Sequence, residues 1–314
     1  VQGHYLGFGL RDTLGMIEPL IKLGYGFADR RINTELGLKF ALDERRKYNV
    51  GVAGFKKTAR RDNPYTFTAG GITALALLAK NDYGDYYYSD GFETFFEAGW
   101  GQLRFVRQNL FVRPTTLRLF YRNESHANAL INEEFSLFGK DRAWRPNPEI
   151  TIGRMRSIGG EFNWNFHPLR RLGKFGFRTT VEFSDRTALS SDFDFFQTTA
   201  NLFARFKTLP LWRMDVFASG GWTNGGAPGQ RFLTFETAAS SIALAGVLRG
   251  MGVKEYYGDQ FAALGFEHNF GEVVPGLLRI PNIASFGLEV ILTGSAAWNT
   301  FSDKTLEMTK TALP

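Results

Sequence analysis

Three stretches of this chain alternate apolar and polar residues for ten or more positions and carry charges at their centres. In Arg31 to Leu42 one face holds Ile32, Leu36, Leu38, Phe40 and Leu42, and the other Arg31, Asn33, Glu35, Gly37 and Lys39. Lys174 to Asp185 sets Phe175, Phe177, Val181 and Phe183 against Lys174, Arg178, Thr180, Glu182 and Ser184. Phe195 to Phe206 sets Phe196, Ala200, Leu202, Ala204 and Phe206 against Gln197, Thr199, Asn201 and Arg205. Side chains of a strand point to opposite faces with period two, so each stretch is a two-faced strand. A soluble sandwich would alternate in the same way, but its strands usually run about five or six residues. A tilted membrane strand needs about nine to eleven. Charges of both signs in mid-strand also suit a wet lumen. The pattern therefore predicts an all-β protein, an antiparallel transmembrane β-barrel rather than a two-layer globule.

The composition agrees. Among 314 residues there are 31 Phe, 11 Tyr and 35 Gly, which suit twisted, closely packed strands better than helices. A mean hydropathy of -0.20 is compatible with a barrel, whose strands hide apolar residues in alternation with polar ones. With no cysteine, a disulfide framework and a zinc-thiolate site are excluded. The longest apolar run, Ile72 to Ala79, is far short of the ~20 residues a membrane helix needs and reads as a short helix in a long link. The charge of +6 is spread through strands and turns, which argues against nucleic acid. Four histidines (His4, His126, His167 and His268) fall in no Ser/His/Asp grouping, and no phosphate loop, His-x-x-x-His helix or calcium loop is present. Neither an enzyme nor a cofactor, metal included, is expected.

Residues 1–314 read as a single barrel domain. Further strands are expected over Gly3 to Arg11, Pro19 to Ala28, Lys47 to Lys56, Phe92 to Leu103, Thr115 to Glu124, Met155 to Phe166, Leu211 to Trp222, Gly258 to Phe270 and Ser285 to Trp298. Short turns at Asp29-Arg30, His167 to Leu172 and Thr208 to Pro210 alternate with long links at 60–90, 125–148 and 223–257, as in barrels with short periplasmic turns. Tyr86, Tyr87, Tyr88, Trp100, Trp144, Trp212 and Trp222 sit near strand ends, where an aromatic girdle would lie.

Inside the link at about 223–257 stands Leu248-Arg249-Gly250-Met251. It resembles the lumen-loop motif Val/Ile-Arg-Gly-Phe/Tyr of the BamA and TamA superfamily, which contains outer-membrane insertases and two-partner secretion transporters. The run Phe232 to Gly246 is similar to the family's approach to the motif, and Phe261 to Phe270 to the strand with its inward glutamate, here Glu267. Alternation supports that assignment, since with Leu264 and Phe266 facing lipid, Gly265, Glu267 and Asn269 face inward. The resemblance implies a loop folded into the lumen that lays Arg249 against Glu267. Met251 stands where the family has an aromatic, and Thr293-Gly294-Ser295 where it has Asp-x-Gly. Glu289 and Thr293 are then the secondary partners of Arg249, with Glu289 about 13 Å from Thr293 at strand rise.

The family's barrels have sixteen strands, against twelve or thirteen candidates here, so the final strands are expected to be missing. The likeness is nearest to a Bacteroidota branch in which the barrel follows a carboxypeptidase-like regulatory domain. It implies a protein of a Gram-negative outer membrane that meets the bilayer, lipopolysaccharide, client polypeptides and other envelope assembly proteins, and helps proteins insert or cross. The glycine-rich first strand, with Gly3, Gly7 and Gly9, would be a weakly paired seam. The alternative is a passive pore for small solutes, its lumen made cationic by Arg31, Lys39, Lys174, Arg178 and Arg205.

Overall fold

The computed structural model describes all residues except 1–4, 62–68, 102–103, 107–109, 113–114, 131–135, 139–142, 167–173, 210–211, 236, 238–247, 249–250, 253, 272–288 and 307–314. The chain begins with β1 (Tyr5–Arg11), β2 (Ile17–Gly26), β3 (Arg31–Ala41) and β4 (Tyr48–Arg60), followed by helix α1 (Ala69–Ala79). Then come β5 (Tyr86–Trp100), a small pair β6 (Arg104–Val106) and β7 (Leu110–Val112), β8 (Thr115–Asn128) and β9 (Gly153–Trp164). The second half contains β10 (Phe175–Ser184), β11 (Asp194–Leu209) and β12 (Trp212–Gly226), then a small pair β13 (Leu233–Thr234) and β14 (Tyr257–Gly258). The last strands are β15 (Gln260–Asn269) and β16 (Ile291–Thr300).

Twelve strands form one antiparallel sheet in the order β1-β2-β3-β4-β5-β8-β9-β10-β11-β12-β15-β16, with β1 and β16 at its edges. The registers carry the predicted alternation across the wall. Leu36 pairs with Gly54, Leu38 with Val52 and Phe40 with Val50, on a face where Leu36 is 56% exposed. Asn33, Asn49, Ser89, Glu124, Ser157 and Glu182, on the opposite face, are all buried. Apolar side chains outside and buried polar ones inside invert the arrangement of a soluble protein. The fold is the wall of a transmembrane antiparallel β-barrel. Among the described residues no helix is long and apolar enough to cross a membrane.

Several strands run past their expected ends, while β3, β10 and β15 stop just inside theirs. β5 begins at Tyr86 rather than Phe92, β8 reaches Asn128, and β12 continues to Gly226, so the irregular segment starts after Gly226 and not at Thr223. The helix in the first long link covers Ala69–Ala79, somewhat more than its apolar core. The last strand starts at Ile291; positions 285–288 of its expected span lie outside the described residues. The turn at 27–30 lies at the same end of the sheet as the long links 61–85, 129–152 and 227–259, which corrects the expected grouping of Asp29-Arg30 with the other short turns. Tyr87 is no girdle residue either. Its odd register position turns it inward, where it is 4% exposed.

Candidate functional site in the lumen

The segment after β12 turns back into the barrel. Gly225, at φ +97, makes the bend, in a conformation L side chains rarely adopt, and an added Cβ would lie 2.4 Å from the Asp194 carbonyl. Beyond it a single 3-10 turn, Gly229–Arg231, enters the interior. The small pair β13–β14 follows on the inner side of the wall: Phe235 packs on Phe261, and Phe232 on Phe301. On the far side Arg61, just past β4, lies over Phe232 at 5.0 Å and Tyr257 at 5.1 Å. The infolded segment thus reaches from the end of β4 to the strands at the other edge of the sheet.

Its centre is Arg231. The guanidinium Nε donates to Glu182 Oε2 at 3.0 Å, and its nitrogens lie 3.7 Å from Glu124 and 3.4 Å from the Tyr87 hydroxyl. Both carboxylates are only 6% exposed and are held from the wall: Ser157 Oγ donates to Glu182 and Ser89 Oγ to Glu124, each at 2.7 Å. Arg122 stands 3.7 Å from Glu182 and also grips Glu93, which Arg118 pairs as well. Three guanidinium groups therefore face three carboxylates, and the cluster is neutral. A buried carboxylate without a cation would cost several kcal/mol, so the loop turn and the wall hold each other in place. Gln197 closes the far side, donating to the Arg231 carbonyl at 2.9 Å and to Thr223 Oγ1 at 3.0 Å.

Gln230, fully buried, does a second job. Its Oε1 accepts from the Thr151 N–H at 3.2 Å, and its Nε2 donates to the Thr151 carbonyl at 3.0 Å and to His126 Nδ1 at 2.8 Å. His126 Nε2 faces Glu124 Oε2 at 3.2 Å. Beyond the membrane wall the three long links meet at Asp85, which is paired by Lys254 at 3.0 Å and by Arg145. Burial alone would raise the Asp85 pKa, but the two cations outweigh it and hold the carboxyl below its usual range.

Arg249 and Gly250 lie outside the described residues, as does Gly3. Of the motif's flanks, Leu248 is buried and bridges Thr237, while Met251 is half-buried. Glu267 is on β15 directly opposite Asp215 on one side and Thr293 on the other. Asp215 is itself buried and held by both Arg205 nitrogens at 2.7 and 3.0 Å. Glu289 accepts from Asn269 Nδ2 at 2.6 Å. Gly7 and Gly9 share the inward face of β1, and the Tyr5 ring lies against Gly7 and Gly24. Of the five cations expected to line the lumen, Arg31 pairs with Asp90, Lys39 with Glu97, Arg178 with Glu161 and Arg205 with Asp215, and Lys174 is exposed just before β10. Sequence reasoning missed Arg231, Gln230 and His126. The one available signal was Pro228-Gly229 breaking the strand before Gln230-Arg231, with Glu182 already placed on an inward face.

A cavity of about 650 Å³ remains beside the infolded segment, lined by β1 to β5, β8 and Arg231. The class that this wall and its filled interior define is a β-barrel of the outer-membrane type. No family of known sequences matches the chain, and no curated protein does. Among solved structures it is similar to BamA from Haemophilus ducreyi lacking POTRA domains 1-3, with a TM-score of 0.48 and 13% identity over 99% of this chain and 59% of that one. It is also similar to the outer-membrane expressed OmpT of Vibrio cholerae, with a TM-score of 0.32 and 13% identity over 70% of this chain and 55% of that one. The chain spans less than two thirds of either, and neither likeness assigns it to a family.

Proposed function

We propose that this barrel assists the insertion or translocation of polypeptides at the outer membrane of a Gram-negative bacterium, in the manner of the BamA-like superfamily. The observation that carries the reading is an infolded segment that fills part of the lumen and is tied to the wall through Arg231. A simple diffusion channel has no need of such a tie. The edge strand β1 adds to it, since all seven of its residues are exposed, with Phe8 at 65%. An edge strand offers unpaired backbone groups on which an incoming strand can form. In this reading the protein catalyses no reaction and takes no cofactor. Its partners are the bilayer and lipopolysaccharide, client polypeptides and other envelope assembly proteins. A photo-crosslinker at Phe8 or Leu10 should capture strands of newly made barrel proteins. Absence of adducts across many clients would remove the reading. The partnership of Arg249 with Glu267 belongs to the same proposal: Arg249→Glu should impair assembly, and adding Glu267→Arg should restore part of it.

The cavity beside the segment favours a second reading, a passive pore. Because four of the five expected lumen cations carry carboxylate partners, such a pore would select weakly between anions and cations. A large, steady conductance in single-channel recording would favour it over the first reading.

A further inference from the structure

We infer that the 3-10 turn Gly229–Arg231 is an acid-released latch, and that His126 is its sensor. The Gln230 amide is oriented by the backbone N–H and C=O of one residue, Thr151, which can only donate and only accept respectively. The amide cannot turn over without losing both bonds. Its Nε2 therefore presents hydrogen to His126 Nδ1, which must accept. The imidazole proton is then on Nε2, donated to Glu124.

Protonation puts a second hydrogen on Nδ1, directly against the Gln230 N–H₂. Donor meets donor at 2.8 Å, and one of the contacts that hold the turn becomes repulsive. The groups facing the ring decide which side yields. Tyr87 from β5 meets it edge-on at 5.0 Å, and Glu124 from β8 lies 3.2 Å from its Nε2. Arg231 and Arg122 are already matched by Glu124 and Glu182, so a new positive charge is in excess beside the turn that carries Arg231. The wall carboxylate keeps the imidazolium, and Gln230 leaves. An unperturbed imidazole titrates between about pH 5 and 8, which sets the range to step through. The latch does not depend on whether the barrel moves polypeptides or solutes.

The test is conductance of the full chain in planar bilayers, stepped from about pH 7.5 to about pH 5, the imidazole range. The wild-type current should rise severalfold on acidification and fall on return. His126→Asn retains an acceptor near the Nδ1 position and does not titrate, so its current should stay low throughout. A second variant covers the case in which His126→Asn fails to fold. Because the chain has no cysteine, Gly229→Cys with Thr151→Cys gives a clean crosslink; a Cβ built at Gly229 lies 3.8 Å from Thr151 Oγ1 with nothing nearer than 3.7 Å. Oxidised, that protein should ignore acid; reduced, it should open. Acid opening that survives in His126→Asn or in the oxidised pair would overturn the latch, as would a wild-type current indifferent to pH. Loss of client crosslinks at β1 would leave the latch untouched.

Discussion

The two halves of the inner wall carry similar residues and use them differently. Along β1 to β4 the ion pairs run between neighbouring or near strands, Arg11 with Glu18, Lys22 with Glu35 and Lys39 with Glu97, and they border open space. On β8 and β10 the carboxylates of Glu124 and Glu182 reach to a loop instead, and with Gln197 and Thr223 they are buried beneath it. Exposed pairs are worth about 0–1 kcal/mol, whereas a broken buried pair costs about 3–5. The same chemistry is thus structural background in one half and a fastening in the other. Burial decides which.

Substitutions should separate the halves. The largest effect is expected from Arg231→Ala, which leaves Glu124 and Glu182 short of a cation and should lower stability by about 3–5 kcal/mol in urea unfolding. Arg231→Lys should recover only part, since an ammonium cannot reproduce the guanidinium fork. If Arg231→Ala is no worse than a change in β3, the contrast between the halves is wrong. Next comes Asp85→Asn at the junction of the long links, where lost charge-assisted hydrogen bonds should cost about 1.5–3 kcal/mol. Rapid proteolysis at the long-loop end would report it. Because the folded Asp85 pKa is depressed, its contribution is complete above the unfolded value near 3.8 and fades as pH falls through the folded one. Protease resistance of the wild-type junction should therefore hold at neutral pH and weaken only in strong acid.

Gly225→Ala should cost about 1–3 kcal/mol, the usual range for a side chain forced into a sparsely populated backbone region. It should also widen the conductance by spoiling the inward bend. At the small end, Lys39→Ala should change stability by about 0–1 kcal/mol, because its pair with Glu97 faces the open cavity. A large loss there would sharpen the picture by showing that the cavity is drier than its lining implies.

The wall was legible because a strand writes both its faces into the sequence. Leu36 and Leu38 against Glu35 and Lys39 told the outside from the inside, and the structure keeps that assignment in every register. The return of the segment after β12 could also be foreseen, from its length and its likeness to a lumen loop. The residue that seats it could not. Arg231 meets acids on β8 and β10, far away in sequence, and alternation says which face an acid is on but not which loop will reach it. Arg249 drew attention through its motif, while Gln230-Arg231 belongs to no motif. His126 was hidden for the same reason, since Gln230 lies 104 residues further along the chain.

One contact has an evolutionary consequence. Gln230 grips residue 151 by its peptide groups, as a rung borrowed from a sheet, and so reads no side chain there. Drift at position 151 leaves those two bonds intact, proline alone being barred because it brings no N–H, and costs only the bond that Thr151 Oγ1 accepts from the Gly229 N–H at 3.1 Å. Drift at 230 should be nearly frozen, since no other neutral side chain offers both halves of a primary amide at that reach.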